Sequence, residues 1–351
     1  MLRKGRILCI LLALSMILAM LTGCAQDGDK KEAAKGNEGE KVSEGSNDKS
    51  DYSYHWKLAT TEPQDYYMVQ LSQKFIDEVN VRTGGKVTGE VFASGQLGNL
   101  VGALEGLDMG NVDIVMDGIS SLSEVNEMFN VFGIAYLYDS KEHQHNFWDN
   151  SFEEVTDIIA EGSGYRLVTV IDGLNRNVAS KKPLNNLQDF QGLKIRVPTV
   201  TSYMRVWELL GTAPIAMSLN EVYSSLQTGV IEAQENDIAM TNNLGFYEVA
   251  PYAVMAEHVP YEASLYFSEK TFKSYPEELQ QIILEVGNEI MLESREMISN
   301  IEKESLAKME KDGVTIIRPD LTEFREATKG MRDEYSYAKP ILDLIDKAKI
   351  E

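Results

Sequence analysis

Cysteine is nearly absent: the 351-residue chain holds two, Cys9 and Cys24, both close to the N-terminus. The rest of the chain therefore has no thiol nucleophile, no disulfide framework and no cysteine-ligated metal site. Histidine is almost as scarce, with His55, His143, His145 and His258 making up all four. His143 and His145 stand two apart, which on a helix turns them to different faces and argues against a shared metal, so a surface helix is expected there. Positive charge is also short. The 33 Lys and Arg against 55 Asp and Glu give a formal net charge of −22, and such a chain lacks the cations with which nucleic-acid binders neutralise phosphates. Neither DNA nor RNA is an expected partner. No G-x-S-x-G, Walker A or G-x-G-x-x-G pattern occurs, and no cofactor is expected. A carboxylate pair for glycoside hydrolysis stays open, but among 55 acidic residues some pair is always close, so acidity by itself carries no information.

The chain's long apolar run, Ile7 to Leu21, follows Arg3, Lys4 and Arg6. It is too short for a spanning helix of about 20 residues and suits the apolar core of a signal peptide. The tetrapeptide Leu21-Thr22-Gly23-Cys24 that follows resembles the bacterial lipobox. That resemblance implies cleavage before Cys24 and acylation of its thiol; a short uncleaved anchor is the alternative. Loss of residues 1–23 removes three positive charges and no negative ones, leaving −25. An anionic protein is repelled by anionic lipid, so acyl chains would have to hold it at the membrane. Between Ala25 and Ser53 only Ala25, Ala33, Ala34, Val42 and Tyr52 are apolar or aromatic. Such a stretch cannot bury enough area to offset its ordering entropy and reads as a disordered tether. The expected location is extracytoplasmic, anchored to the cell membrane through Cys24.

The remaining length exceeds what one core usually fills and suggests two lobes of roughly 130 to 170 residues. Strand and helix patterns alternate: His55–Thr60, Lys86–Phe92, Val112–Asp117, Tyr165–Ile171, Leu193–Val197 and Val230–Ala233 read as strands, with helical segments such as Asn99–Met109 between them. Alternation of this kind predicts α/β lobes with largely parallel sheets. From Glu277 to Lys311 apolar residues recur on one helical face, from Leu279 through Ile290 to Met309. A continuous helix there would be about 52 Å long, whereas a lobe of this size is roughly 35 to 40 Å across. It would have to touch both lobes, unless it breaks at Gly287, where glycine costs about 1 kcal/mol relative to alanine. Val314–Ile317 reads as a strand, and Asp320 with Glu323 as a capping box that opens a final helical region.

In Leu193-Lys194-Ile195-Arg196-Val197 the apolar residues alternate with Lys194 and Arg196. Arg196 therefore projects from the opposite face near the carboxyl end of a strand, where open α/β sheets bind ligands. Asn236 just beyond a strand, Asp117 at a strand end and Arg176 after another strand add polar groups at similar positions. Two of these are guanidinium forks suited to a carboxylate. Considered alone, each is equally a surface salt-bridge residue.

The run from Asn175 to Asn236, with DFQGLKIRVP, LLGTAPIAM, NEVYSSLQTGV and the QEN triplet, together with FASGQLGN at Phe92–Asn99, resembles the extracytoplasmic solute-binding proteins of TRAP transporters. The resemblance covers Tyr54 nearly to the C-terminus. It implies two α/β lobes with a ligand cleft between them, as in periplasmic binding proteins, and a long C-terminal helix bridging both. Residues 54–173 with about 262–301 would form lobe I, and 174–261 with about 302–351 lobe II. It further implies that Arg196 binds a ligand carboxylate, that Arg176 assists, that Asn236 is the matching asparagine of the site, and that Asp117 is an acidic cleft residue; a polar, multiply hydrogen-bonding acid suits these together with Glu62. Truncating either arginine is expected scarcely to alter the unliganded melting temperature. Departures from the family pattern are Asp237 where proline is common, Glu232-Ala233 in place of Asp-Gly, and Leu219 where the sialic-acid branch is aromatic. The implied function is a lipid-anchored, non-enzymatic binder of a small organic acid, a sugar acid such as a uronate or aldonate, which closes by a hinge and delivers the acid to integral membrane subunits. The alternatives are an anchored hydrolase using a carboxylate pair, a solute-binding protein of another transporter class, and a scaffold lipoprotein.

Overall fold

The structure, a computed structural model, describes residues 52–350. The expected signal peptide, the acylated Cys24 and all but the end of the expected tether lie outside the described residues.

Two separate six-stranded sheets organise the described chain. The first opens with β1 (Tyr54–Ala59), α1 (Tyr67–Arg82), β2 (Val87–Phe92), α2 (Leu100–Met109) and β3 (Ile114–Gly118), then adds α3 (Lys141–Ser163), β4 (Tyr165–Leu167) and β5 (Ile171–Asn175). β1 runs parallel to both β2 and β3. The turns that make this possible are locally encoded. The Asn99 side chain accepts from the Gly102 amide to open α2, and Gly110 ends the helix in left-handed backbone at φ 73°, where a Cβ would be strained.

After Arg176 the chain enters the second sheet with β6 (Asn177–Ser180), β7 (Lys194–Val197), α4 (Thr201–Leu209), β8 (Ala213–Ala216), α5 (Val222–Thr228), β9 (Ala233–Asn236), α6 (Ile238–Asn243) and β10 (Tyr252–Val254). It returns to the first sheet as β11 (Pro260–Ser268), followed by α7 (Glu269–Ser274) and α8 (Glu277–Lys311). β12 (Thr315–Ile317) then joins the second sheet beside β10, and α9 (Thr322–Thr328), α10 (Met331–Glu334) and α11 (Lys339–Lys347) complete the chain. In the second sheet β7 is parallel to β8 and β9.

Both sheets are mixed, where the alternation of elements suggested largely parallel ones. β11 runs antiparallel to β3, β4 and β5, and β6 antiparallel to β9 and β10. These are the strands that immediately follow a passage between lobes, so they enter each sheet against the direction of its parallel core. Other expectations also shift. Tyr165–Ile171 is divided between β4 and β5, and Asn236 is the last residue of β9, which begins at Ala233 where the sequence pattern ended. α3 is not a surface helix along its His143 edge: His143 is buried and its Nε2 lies 2.7 Å from the Ile345 carbonyl oxygen, because α11 packs on α3. That packing sets α11 against the first lobe, whereas the whole of 302–351 was expected with the second.

α8 is continuous over 35 residues. It packs on α1 and β5 at one end and on α6 and β12 at the other, so one rod contacts both sheets' layers. Glu277 and Glu278 in its first turn and Lys308 and Lys311 in its last complement the helix dipole. Gly287 does not break it. The link between β4 and β5 comes so close that a Cβ at 287 would lie 1.8 Å from the Val168 carbonyl oxygen, and the Thr169 hydroxyl donates to the Gly287 carbonyl at 2.7 Å. Glycine is there for close approach.

This reverses the sign of a substitution. On helix propensity alone Gly287→Ala would stabilise by about 1 kcal/mol; the overlap with Val168 is expected to make it destabilising by about 1–3 kcal/mol. Urea unfolding checks this, and a raised midpoint would contradict the close-approach role.

Candidate functional site

Residues at or just past the carboxyl ends of four strands line one cavity of about 410 Å³: Thr61 and Glu62 after β1, Asp117 in β3, Pro198 after β7 and Asn236 at the end of β9. This is where the crevice of an open α/β sheet takes its ligand. Arg176, Arg196, Tyr203 and Tyr261 add to the wall. Glu62, Asp117, Arg176, Arg196 and Asn236, which the sequence scatters over 175 positions, thus share one cavity. The first two come from the first lobe, the last two from the second, and Arg176 stands at the passage between the sheets.

The two arginines have different electrostatic situations. Arg176 donates from Nε to Glu235 Oε2 at 2.5 Å and from Nη2 to Glu235 Oε1 at 2.9 Å, and its guanidinium lies 5.1 Å from the Tyr203 ring centre and 5.4 Å from that of Tyr261. Burial would lower its pKa, but the Glu235 carboxylate overrides that and raises it. For Glu235 burial would raise the pKa; Arg176, with help from His258 at 3.2 Å, brings it down to about 2. Arg176 and Glu235 are therefore a satisfied buried pair. Backbone bonds lock the same place, from Arg176 N to Val259 O at 2.8 Å and from His258 N to Arg176 O at 3.3 Å. Here the two strands that pass between lobes lie side by side.

Arg196 is 3% exposed and has no carboxylate partner: its Nε donates to the Met217 carbonyl oxygen at 2.8 Å, and its buried Nη1 has no partner. Burial, with the nearby Arg176 charge, holds its pKa down to about 10, against the pull of Glu235. A cation at that value remains charged at neutral pH. Desolvating a charge is costly unless it is paired, and among the five cavity residues expected from the sequence Arg196 is the cation without a carboxylate partner.

The acidic groups opposite are mostly satisfied. Asp117 Oδ1 accepts from the Gly118 amide and the Ser121 hydroxyl, both at 2.7 Å, although burial raises its pKa. Asn236 Oδ1 accepts from the Asp237 amide at 3.0 Å, which fixes the orientation of its carboxamide. Glu62 accepts from the Tyr261 hydroxyl at 3.1 Å. Glu235, Tyr203 and Tyr261 join the site without having been expected there from the sequence. Glu235 was visible as the middle of the QEN triplet, and its burial in a strand is the signal that it must pair; the two tyrosines carried none. Among the described residues no group of three or more His, Cys, Asp or Glu could hold a metal, and no helix is long and apolar enough to cross a membrane.

Comparison with known proteins places the chain by family and fold. The family model described as bacterial extracellular solute-binding protein, family 7, matches residues 58–338. A solute-binding protein of Roseobacter denitrificans is 30% identical over 257 residues, covering 73% of this chain and 79% of its own. Among solved structures, a TRAP periplasmic solute-binding protein of Pseudomonas putida with bound D-glucuronate superposes with a TM-score of 0.80 at 26% identity, covering 85% of this chain and 98% of its own. One from Xanthobacter autotrophicus with bound β-D-galacturonate gives 0.79 at 26% identity, covering 84% and 100%.

The pairing of Arg176 overturns the expectation that its loss leaves the unliganded fold untouched. Arg176→Ala strands Glu235 in the interior and is expected to cost about 3–5 kcal/mol at pH 7. Because Glu235 is held at about 2 against an ordinary value near 4.3, this stabilisation is present above the ordinary value and fades as pH falls through about 2. Urea midpoints of the two proteins should therefore converge on acidification; a constant gap, or none at pH 7, would contradict the pairing.

Proposed function

The chain belongs to family 7 of the bacterial extracellular solute-binding proteins, the TRAP-type solute-binding proteins, and on that premise we propose that it captures a sugar acid, a hexuronate in the first instance, by its carboxylate on Arg196. Family membership makes it a binding protein and not a hydrolase. The observation that carries the reading is the buried, unpaired Nη1 of Arg196 at the wall of a cavity of about 410 Å³. A carboxylate seated there supplies the missing anion and accepts charge-assisted hydrogen bonds. Arg176 remains bound to Glu235, so its part is to keep that carboxylate away from Arg196. Asn236, Asp117 and Glu62 offer both donors and acceptors to hydroxyl groups, which favours a polyhydroxylated acid over an apolar one. Relatives of this fold holding glucuronate and galacturonate support the same ligand class.

Capture would proceed by closure of the two lobes about the paired passage at Arg176 and Val259. The closed form would then be handed to the integral membrane subunits of a TRAP transporter. The apolar run and Leu21-Thr22-Gly23-Cys24 support lipid anchoring at Cys24, which would hold the binder near those subunits and raise its effective concentration there. An Ala at position 24 is expected to release the protein from membranes on fractionation, with soluble ligand binding intact; a firmly retained Cys24→Ala protein would contradict the anchor.

Calorimetric titration with D-glucuronate and D-galacturonate tests the clamp. Removing one member of a buried hydrogen-bonded charge pair costs about 2–5 kcal/mol, so Arg196→Ala should weaken binding by roughly 30-fold to several thousandfold. Arg196→Lys keeps the charge, loses the fork and should also bind markedly worse. Since Arg196 has no carboxylate partner in the unliganded protein, Arg196→Ala should unfold at the wild-type temperature or above. A folded Arg196→Ala protein binding within threefold of wild type would remove Arg196 from the site.

A further inference from the structure

Glu62 stands out among the cavity's acids. It is 8% exposed, its Oε1 accepts from the Tyr261 hydroxyl at 3.1 Å, and its Oε2 is buried with no partner at the cavity wall. The groups facing it come from every side: Asp117 from β3, Asp237 from the start of α6, Tyr261 from β11, Tyr66 from the turn before α1, and the guanidinium groups of Arg176 and Arg196. Glu124 lines the same cavity.

Of the two guanidinium groups facing Glu62, Arg196 makes no hydrogen bond or ion pair to it, its Nε donating to the Met217 carbonyl oxygen, and Arg176 is committed elsewhere. Arg176 gives Nε and Nη2 to Glu235. Asp117 has an amide and a hydroxyl donating to Oδ1, and Asp237 has the Met240 amide on Oδ1 and the Tyr66 hydroxyl on Oδ2, at 2.8 Å each. Both of these carboxylates are hydrogen-bonded in a way that favours the anion. Glu62 receives one phenolic hydrogen bond and faces two like charges. Burial first, then Asp117 and Asp237, push its carboxyl up to about 8. Of the three acids it is the one whose neutral form the surroundings tolerate best, and a proton on Oε2 turns an orphaned acceptor into a donor on a residue that lines the cavity. An anionic ligand drawn to Arg196 would be repelled by an ionised Glu62 and bound by a neutral one.

We propose that Glu62 meets the ligand as a neutral carboxylic acid, donating a hydrogen bond from Oε2 to a ligand oxygen, so that capture requires Glu62 to hold a proton and weakens in alkaline solution. This rests on the sugar-acid reading above for the ligand, but not for the state of Glu62. No bond in the ligand is made or broken: where Glu62 is ionised in the free protein, its Oε2–H bond forms with a proton released by solvent or buffer.

Two measurements on the soluble full-length body test it. The first needs no ligand. In protein carrying ¹³C-labelled Glu carboxyl groups, a resonance with its midpoint between pH 7 and 9 should be missing in Glu62→Gln and persist in Glu262→Gln, since burial also pushes Glu262 up, to about 7; if no titrating resonance is lost in Glu62→Gln, the proposal is overturned. The second is calorimetry with D-glucuronate from pH 6.5 to 9, below the range in which Arg196 loses charge. Affinity should be level near pH 6.5 and fall towards tenfold per pH unit above the midpoint, with uptake of up to one proton seen as a dependence of the heat on buffer ionisation. Glu62→Gln keeps a donor but has no proton to lose. Its pH dependence should vanish, so its affinity relative to wild type should rise severalfold between pH 6.5 and 9. Affinity that rises with pH, or release of a proton on binding, would mean that Glu62 acts as a carboxylate acceptor and would overturn the proposal. If D-glucuronate binds at no pH, the sugar-acid reading fails, and the carboxyl titration alone decides the protonation of Glu62.

Discussion

One carboxylate, Glu235, stands among three nitrogen bases in the interior, and its geometry settles which of them is neutralised. The fork of Arg176 takes both of its oxygens and the imidazole of His258 reaches one of them at 3.2 Å, leaving no oxygen for a bidentate contact with Arg196. A buried ion pair contributes little net stability over an apolar substitute, yet is expensive to break. Its value here lies in what it leaves unpaired. The same pair pins the first passage between the lobes, and the backbone bonds from Arg176 to Val259 and His258 pin that passage to the second.

That arrangement resolves a tension in the overall charge. A chain with a formal charge of −22 repels anions at long range, and salt screens such fields beyond about 8 Å. A local, desolvated cation can still bind an anion strongly, because the low dielectric around Arg196 raises the worth of each hydrogen bond it makes. Two sheets with their strand ends converging, and one rod-like helix in contact with both layers, hold this group in place.

Much of the architecture was legible because it rested on local signals. The apolar stripe from Leu279 to Met309 announced α8, and the arithmetic of its length against a lobe's width required a bridge. Arg196 was legible because Ile195 and Val197 alternate with it. The features with no local signal are non-local ones. β11 is buried at nearly every position, so it shows neither the alternation of a half-exposed strand nor the length of a helix, and Tyr261 within it could not be placed. Glu235 is 59 residues from Arg176, and nothing in either segment names the other. Gly287 resembled a helix breaker because the Val168 carbonyl that demands a glycine belongs to a different element.

The central claim is that Arg196 and a ligand carboxylate recognise each other. The most direct measurement is a cycle that removes both: calorimetric affinities of wild type and Arg196→Ala for D-glucuronate and for D-glucose, which lacks the carboxylate. If the two groups pair, deleting the carboxylate should weaken wild-type binding strongly and Arg196→Ala binding hardly at all, with a coupling of about 2 kcal/mol or more. Losses that simply add, with the carboxylate worth as much to Arg196→Ala as to wild type, would show that the ligand's charge is read elsewhere.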